Sequence, residues 1–116
     1  MRYLCLLYGD ERLWETMSKD ESDAIRAEYF ALTTSITDSG HYIGGNPLQP
    51  TATATTVRVR NGSIGTTDGP FAETKEQLGG YYLIEARDLD DALQVAMRIP
   101  GARSGSVEVR PIAAMH

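Results

Sequence analysis

Arg2-Tyr3-Leu4-Cys5-Leu6-Leu7-Tyr8-Gly9-Asp10 decides how this chain folds. After Arg2 the run has no polar break until Gly9-Asp10 ends it. A strand with one solvated face alternates apolar and polar residues, so a run that is apolar throughout reads as a central strand covered on both sides. Downstream, Ser18 and Glu21 have the capping-box spacing that satisfies free amides at a helix start. Ile25, Tyr29, Leu32 and Ile36 then recur at helical spacing, and Gly40 is placed to end that helix.

Gly44-Gly45-Asn46-Pro47 and Pro50 read as a loop. From Thr53 to Arg60 the chain is β-branched, with Val57 and Val59 alternating against Thr56, Arg58 and Arg60. Asn61-Gly62 is a type I′ hairpin signal, because both positions must accept positive φ, and it predicts a return strand over 63–67. Gly79-Gly80 marks a bulge or a close backbone approach at the head of strand 81–86. Asp88 caps a second helix, with Asp90 and Asp91 complementing its dipole. Leu89, Leu93, Ala96 and Ile99 are its expected buried stripe, and Ser106 to Arg110 alternates as a last strand.

The order β-α-β-(β)-β-α-β, with right-handed crossovers, is that of a ferredoxin-like α+β fold forming a single domain over 1–116. Two helices cover only one face of such a sheet. The other face carries Leu and Val beside Tyr, Arg and Glu, too apolar to be left to water. A second copy packed face to face covers it, so the expectation is a homodimer, a dimeric α+β barrel with a semi-polar cavity between the sheets.

Bulk properties remove several function classes. The 116 residues carry 11 basic and 16 acidic side chains, a net charge of -5, with no Lys/Arg run. A nucleic-acid binder needs a basic stripe to neutralise phosphates, and an anionic membrane surface makes the same demand, so neither partner is expected. Cys5 is the single cysteine and reads as an inert core thiol. His41 and His116 lie far apart in sequence, and no pair has metal-ligand spacing, so neither a metal nor another cofactor is expected. The run from Tyr3 to Tyr8 is too short for a signal segment, and a cytoplasmic location is expected.

Candidate chemistry concentrates in Asp68-Gly69-Pro70-Phe71-Ala72-Glu73-Thr74-Lys75-Glu76, since long structured loops are where sites tend to sit. Asp68 reads either as a general base facing the cavity or as an Asx-turn cap on the amides that follow it. Phe71 either anchors the loop in the core or stacks on a ligand. Glu73, Lys75 and Glu76 either form a solvated polar turn or supply acid, base and anion-holding groups, and a partly buried Lys75 would shift its pKa readily. Arg58 and Arg60 share a strand face, as holders of a carboxylate or phosphate or as guards of an edge strand. Tyr81 and Tyr82 point to opposite faces, one under a helix and the other able to give a phenol to the cavity. Glu108 and Arg110 face either the cavity or a cross-strand partner at Glu85. His41 reads as a surface residue favouring a helix C-terminus. Trp14 either closes a cavity mouth or simply packs.

The first eleven residues, Thr67 to Glu76 and Gly105 to Pro111 together resemble the YCII-related, or DGPF-domain, proteins, and the similarity runs along nearly the whole chain. The resemblance implies a dimeric α+β barrel. The wider family includes proteins with a His-Asp acid-base pair on or near the first helix, among them a dehydrochlorinase of a hydroxylated aromatic. Here Asp38 matches the aspartate, whereas Glu28 or Tyr29 stands where the histidine would fall. With half the pair missing that chemistry does not carry over. Some relatives are fused to sigma-type transcription factors, which keeps open a non-enzymatic accessory or regulatory role docking on another protein. The leading expectation is a cofactor-free homodimer that binds a small organic molecule between its sheets. Asp68 would act as base, and Lys75 or a tyrosine would hold developing negative charge.

Overall fold

A computed structural model describes residues 1–114, so His116 lies outside the described residues. Strand β1 (Arg2–Gly9) is followed by a short helix α1 (Glu11–Glu15) and a long one, α2 (Lys19–Asp38). Strands β2 (Tyr42–Pro47), β3 (Thr55–Arg60), β4 (Ser63–Asp68) and β5 (Gln77–Glu85) come next, then α3 (Leu89–Ala96) and β6 (Ser106–Pro111). The main sheet has the order β2-β5-β1-β6, with every neighbouring pair antiparallel. Each βαβ unit is therefore split by a strand of the other, which is the ferredoxin-like α+β arrangement. β1 sits in the interior of the sheet, as its apolar run requires.

Local signals set the element ends. The Glu21 N–H donates to Ser18 Oγ at 3.1 Å, and the Asp91 N–H donates to Asp88 Oδ1 at 2.9 Å, so both expected caps form. Gly40 adopts φ +84° just beyond α2, and the β3–β4 turn places Asn61 at φ 52° and Gly62 at φ 76°. The core lies between the helices and one face of the sheet. Cys5, Ile36, Ile84 and Ile99 are its largest fully buried side chains, with Tyr3, Leu32, Tyr82, Ala92 and Val95 around them. Burial pushes the Cys5 thiol up to about 11, so it stays protonated and inert.

Three expectations are corrected. Gly44 to Pro47 is not a loop but the body of edge strand β2. A Cβ on Gly45 would stand 2.7 Å from the Tyr81 carbonyl oxygen, and one on Gly80 would stand 3.1 Å from that of Asn46. These glycines are there because two strands crowd each other, a cause invisible to local propensity. The second correction concerns α3, which turns Leu89 and Leu93 outward, 49% and 37% exposed, and buries Ala92, Val95 and Ala96. Small side chains let this short helix lie close to the sheet.

The third correction is that the hairpin β3–β4 does not join the main sheet; it forms a two-stranded sheet of its own. Nothing of the core lies beneath it, and Val57, Val59 and Ile64 are 62%, 58% and 75% exposed. The radius of gyration is 16.2 Å, where a compact chain of this length would have about 13 Å. The hairpin is an arm.

Candidate functional site

Alternation along β1 sends Tyr3, Cys5 and Leu7 to the core and leaves Leu4, Leu6 and Tyr8 on the face without helices. Leu4 lies opposite Leu83 and Arg110, and Leu6 lies opposite Tyr81 and Glu108. This open face therefore has an aliphatic centre with a phenol and ion-pairing groups around it. Asn46 Nδ2 donates to the Tyr81 hydroxyl at 3.0 Å, fixing that ring toward β2. Arg110 pairs with Glu108 two residues away at 3.5 Å, while Glu85 takes the N-terminal ammonium of Met1 at 3.4 Å, so no Arg110–Glu85 pair forms. Tyr82 points the other way, into the core, edge-on to Tyr42, and its hydroxyl lies 3.1 Å from Thr33 Oγ1. Burial raises its pKa, which keeps the phenol protonated.

The Asp68–Glu76 segment connects the arm to β5 and is pinned at both ends. At the arm, the Gly69 N–H donates to the Ala54 carbonyl at 2.7 Å and Thr56 Oγ1 donates to the Gly69 carbonyl at 2.9 Å. Arg58 Nη2 reaches the Phe71 carbonyl at 3.4 Å. At the sheet, Ser106 Oγ donates to Glu76 Oε1 at 2.8 Å, which draws the loop to the end of the open face beside Tyr8. Gly69 has φ +103°, which requires glycine.

Between those pins Phe71, Glu73 and Lys75 are exposed, so Phe71 does not anchor the loop in the core. The carboxylate of Asp68 accepts no hydrogen bond among the described residues, so it does not cap the amides that follow it. The amide two residues on belongs to Pro70, which has no N–H, and the Gly69 N–H is already taken by Ala54. Asp68 is thus a free acceptor at the start of a glycine-bent loop.

Asp68, Phe71, Glu73 and Lys75 therefore share one loop, Arg58 leans on that loop, and Tyr81 stands on the open face. Asp38 is elsewhere. It lies in the last turn of α2 beside Phe30, Thr34 and Thr37, on the helical layer across the sheet from Tyr81. A larger groove of about 330 Å³, lined by Glu28, Leu32, Arg98 and Arg103 among others, also lies on the helical layer and contains none of the loop residues.

Two polar clusters escaped the sequence. Glu11 receives the Thr51 N–H at 2.7 Å and its hydroxyl at 2.8 Å, while its own N–H donates to Gln77 Oε1 at 3.1 Å. One residue thus ties the end of β1 to the chain entering the arm and to the start of β5. Just before Glu11, the Arg12 side chain and backbone N–H hold the Asp10 carboxyl below its usual range. Trp14 lies over the β1–β5 bulge and stays 46% exposed: a Cβ on Gly79 would strike its indole, and one on Gly9 would stand 3.4 Å from it.

The second cluster has the composition of a catalytic triad. Ser39 Oγ lies 2.7 Å from His41 Nδ1, and His41 Nε2 lies 3.1 Å from both carboxylate oxygens of Asp91. Acyl transfer would also need N–H donors for an oxyanion, and the Ser39, Gly40 and His41 amides are bound to Ser35, Thr37 and Ile36 carbonyls. Ser39 moreover follows the C-terminus of a 20-residue helix, where the dipole opposes new negative charge. The cluster is a staple joining the end of α2 to the start of α3.

The Arg87 N–H first, and His41 second, hold the Asp91 carboxyl well below its usual 3.8, at about 2. A depressed carboxylate pKa contributes stability that is complete above the unfolded value and is lost as pH falls through the folded one. Asp91→Asn should therefore lower the melting temperature at neutral pH, and its deficit against wild type should shrink between pH 3.8 and about 2. Thermal melts across that window check this; a deficit constant with pH would show that the staple is not electrostatic.

Among the described residues no group of three or more His, Cys, Asp and Glu side chains is placed to hold a metal, and no helix is long and apolar enough to cross a membrane. The YCII-related domain family matches residues 1–116. An uncharacterized protein of Rhizobium meliloti, R00369, is 40% identical over 115 residues, covering 97% of this chain and 93% of that one. On a match that runs from the β1 run through the Asp68 loop to β6, the chain belongs to the YCII-related family.

Proposed function

We propose that the protein is a homodimer that binds a small organic molecule in a cavity between two facing sheets, with the Asp68–Glu76 loop at the mouth. The observation that carries this reading is the open face. Leu4, Leu6 and Leu83 form an aliphatic centre that the chain's own helices leave uncovered, and Tyr81, Glu108 and Arg110 beside it give polar handles. Small-molecule sites have that character, apolar walls with a few placed polar groups. Asp68, with an uncommitted carboxylate, serves as general base, and Lys75 or Tyr81 holds negative charge as it develops, in an elimination, isomerisation or hydrolysis. The site works in the cytoplasm and without a cofactor.

The test is light scattering for mass, with a thermal-shift screen against small acids, phenols and nucleotides. A ligand at a hundred times its Kd stabilises a protein by about 2.7 kcal/mol. That shift should appear for at least one class, disappear in Asp68→Asn, and persist in Glu15→Gln, a change on exposed α1. A monomer mass, or a ligand shift that Asp68→Asn leaves intact, defeats the reading.

A further inference from the structure

We propose that the β3–β4 arm is a clamp that lies on a second copy of this chain and seats Asp68 against that copy. The proposal rests on the homodimer reading above and adds what the arm does in it. Cross-strand pairing puts Thr55 opposite Asp68, Val57 opposite Thr66 and Val59 opposite Ile64, so these six residues share one face of the arm. Its outer part is apolar and its base carries the free carboxylate. The reverse face carries Thr56, Arg58, Arg60 and Thr67. A two-stranded hairpin with no core beneath it is marginal in water, and an amphipathic one with three exposed β-branched side chains has its cover elsewhere.

Area and charge identify that cover. Four strands about 4.8 Å apart and about 20 Å long give the open sheet face a footprint of roughly 400 Å². A stable interface takes about 800 Å² from each partner. One arm face is roughly 200 Å² by the same spacings. In a two-fold dimer each copy contributes its own arm and receives the other's, which brings the total near the required area. Residues 55–67 carry Arg58 and Arg60 and no acid, so of the net -5 the remainder of the chain carries -7. Both arginines stand on the reverse face, so the +2 steers the arm toward the acidic body of another copy while the apolar face makes the contact. Because Asp68 stands on the docking face, the candidate base is completed by the partner, and a lone protomer has only half a site.

Trypsin gives the test, since Arg58 and Arg60 are exposed in the protomer. In the dimer, cleavage after these residues, read by mass spectrometry, should slow as protein concentration rises through the dissociation constant. The double variant Val57→Asp with Ile64→Asp changes exposed side chains outside the core, and circular dichroism should show it folded. Its dimer dissociation constant should rise about 100-fold or more, a loss of roughly two Kd decades from burying charge in place of two apolar side chains. Its arm should be cut at one rate at every concentration. A wild-type protein that is monomeric throughout defeats the dimer reading and this one with it. A wild-type dimer whose arm is cut freely, or whose dissociation constant ignores the double substitution, defeats the clamp alone.

Discussion

Gly105→Ala is expected to cost about 3 kcal/mol of folding stability, the upper part of the usual range for overpacking. Gly105 opens into β6, and a Cβ there would overlap the Tyr8 carbonyl oxygen while standing 3.0 Å from the Gly9 Cα and 3.1 Å from the Tyr8 carbonyl carbon. All three atoms are backbone of β1. No rotamer can relieve the contact, so either β1 or the start of β6 must move, and β1 is hydrogen-bonded on both sides. The contrast is Gly65→Ala in the arm, where the nearest atom to the new Cβ is 3.9 Å away; it should stay within about 0.5 kcal/mol of wild type. Urea unfolding of both variants decides the matter, and an unchanged midpoint for Gly105→Ala would mean that β6 does not enter the sheet so close to β1.

Ile84→Ala should be still more costly, about 4 kcal/mol, against about 1 kcal/mol for Ile84→Val. Ile84 is fully buried in β5, between Tyr3 of β1 and Tyr42 of β2. Removing three carbons there opens a cavity whose walls are strands on two sides, and paired strands collapse poorly into a void. Since a domain of this size has roughly 5–15 kcal/mol in total, the alanine variant should lose a large part of its folded population on modest heating. Ile43, one position into β2 and 40% exposed, is the comparison. If Ile43→Ala and Ile84→Ala cost the same, the core is not where burial places it.

Signals that act within a few residues were legible in the sequence. Ser18–Glu21, Asp88–Asp91, Gly40 and Asn61-Gly62 each satisfy a local backbone requirement, and each is found doing so. The ferredoxin-like order was legible too, although the strand that follows α2 in the main sheet is Tyr42–Pro47 and the expected strand near 53–60 lies in the arm. Gly44 and Gly45 look like a loop to any local rule, and only their neighbours in β5 reveal a strand. The candidate site was legible as a loop but not as contacts. Pro70 removes the amide two residues beyond Asp68, which weakens the Asx-cap reading from the sequence alone. Asp38 matched a family position by count, while the fold puts it on the opposite layer from Tyr81. Glu11 with Thr51, and His41 with Asp91, join residues 40 and 50 apart, a distance over which no spacing rule operates.

The separateness of the β3–β4 sheet has a consequence for how the family can change. The arm shares no ladder with the main sheet, so it can be lengthened or trimmed without altering any pairing in the core. Register sets the increment. Adding two residues to each strand would carry the tip about 6.6 Å further and keep Val57, Val59 and Asp68 on one side, whereas adding one would turn that apolar face away. Reach is therefore a trait that natural selection can tune in discrete steps, independently of the fold that bears it.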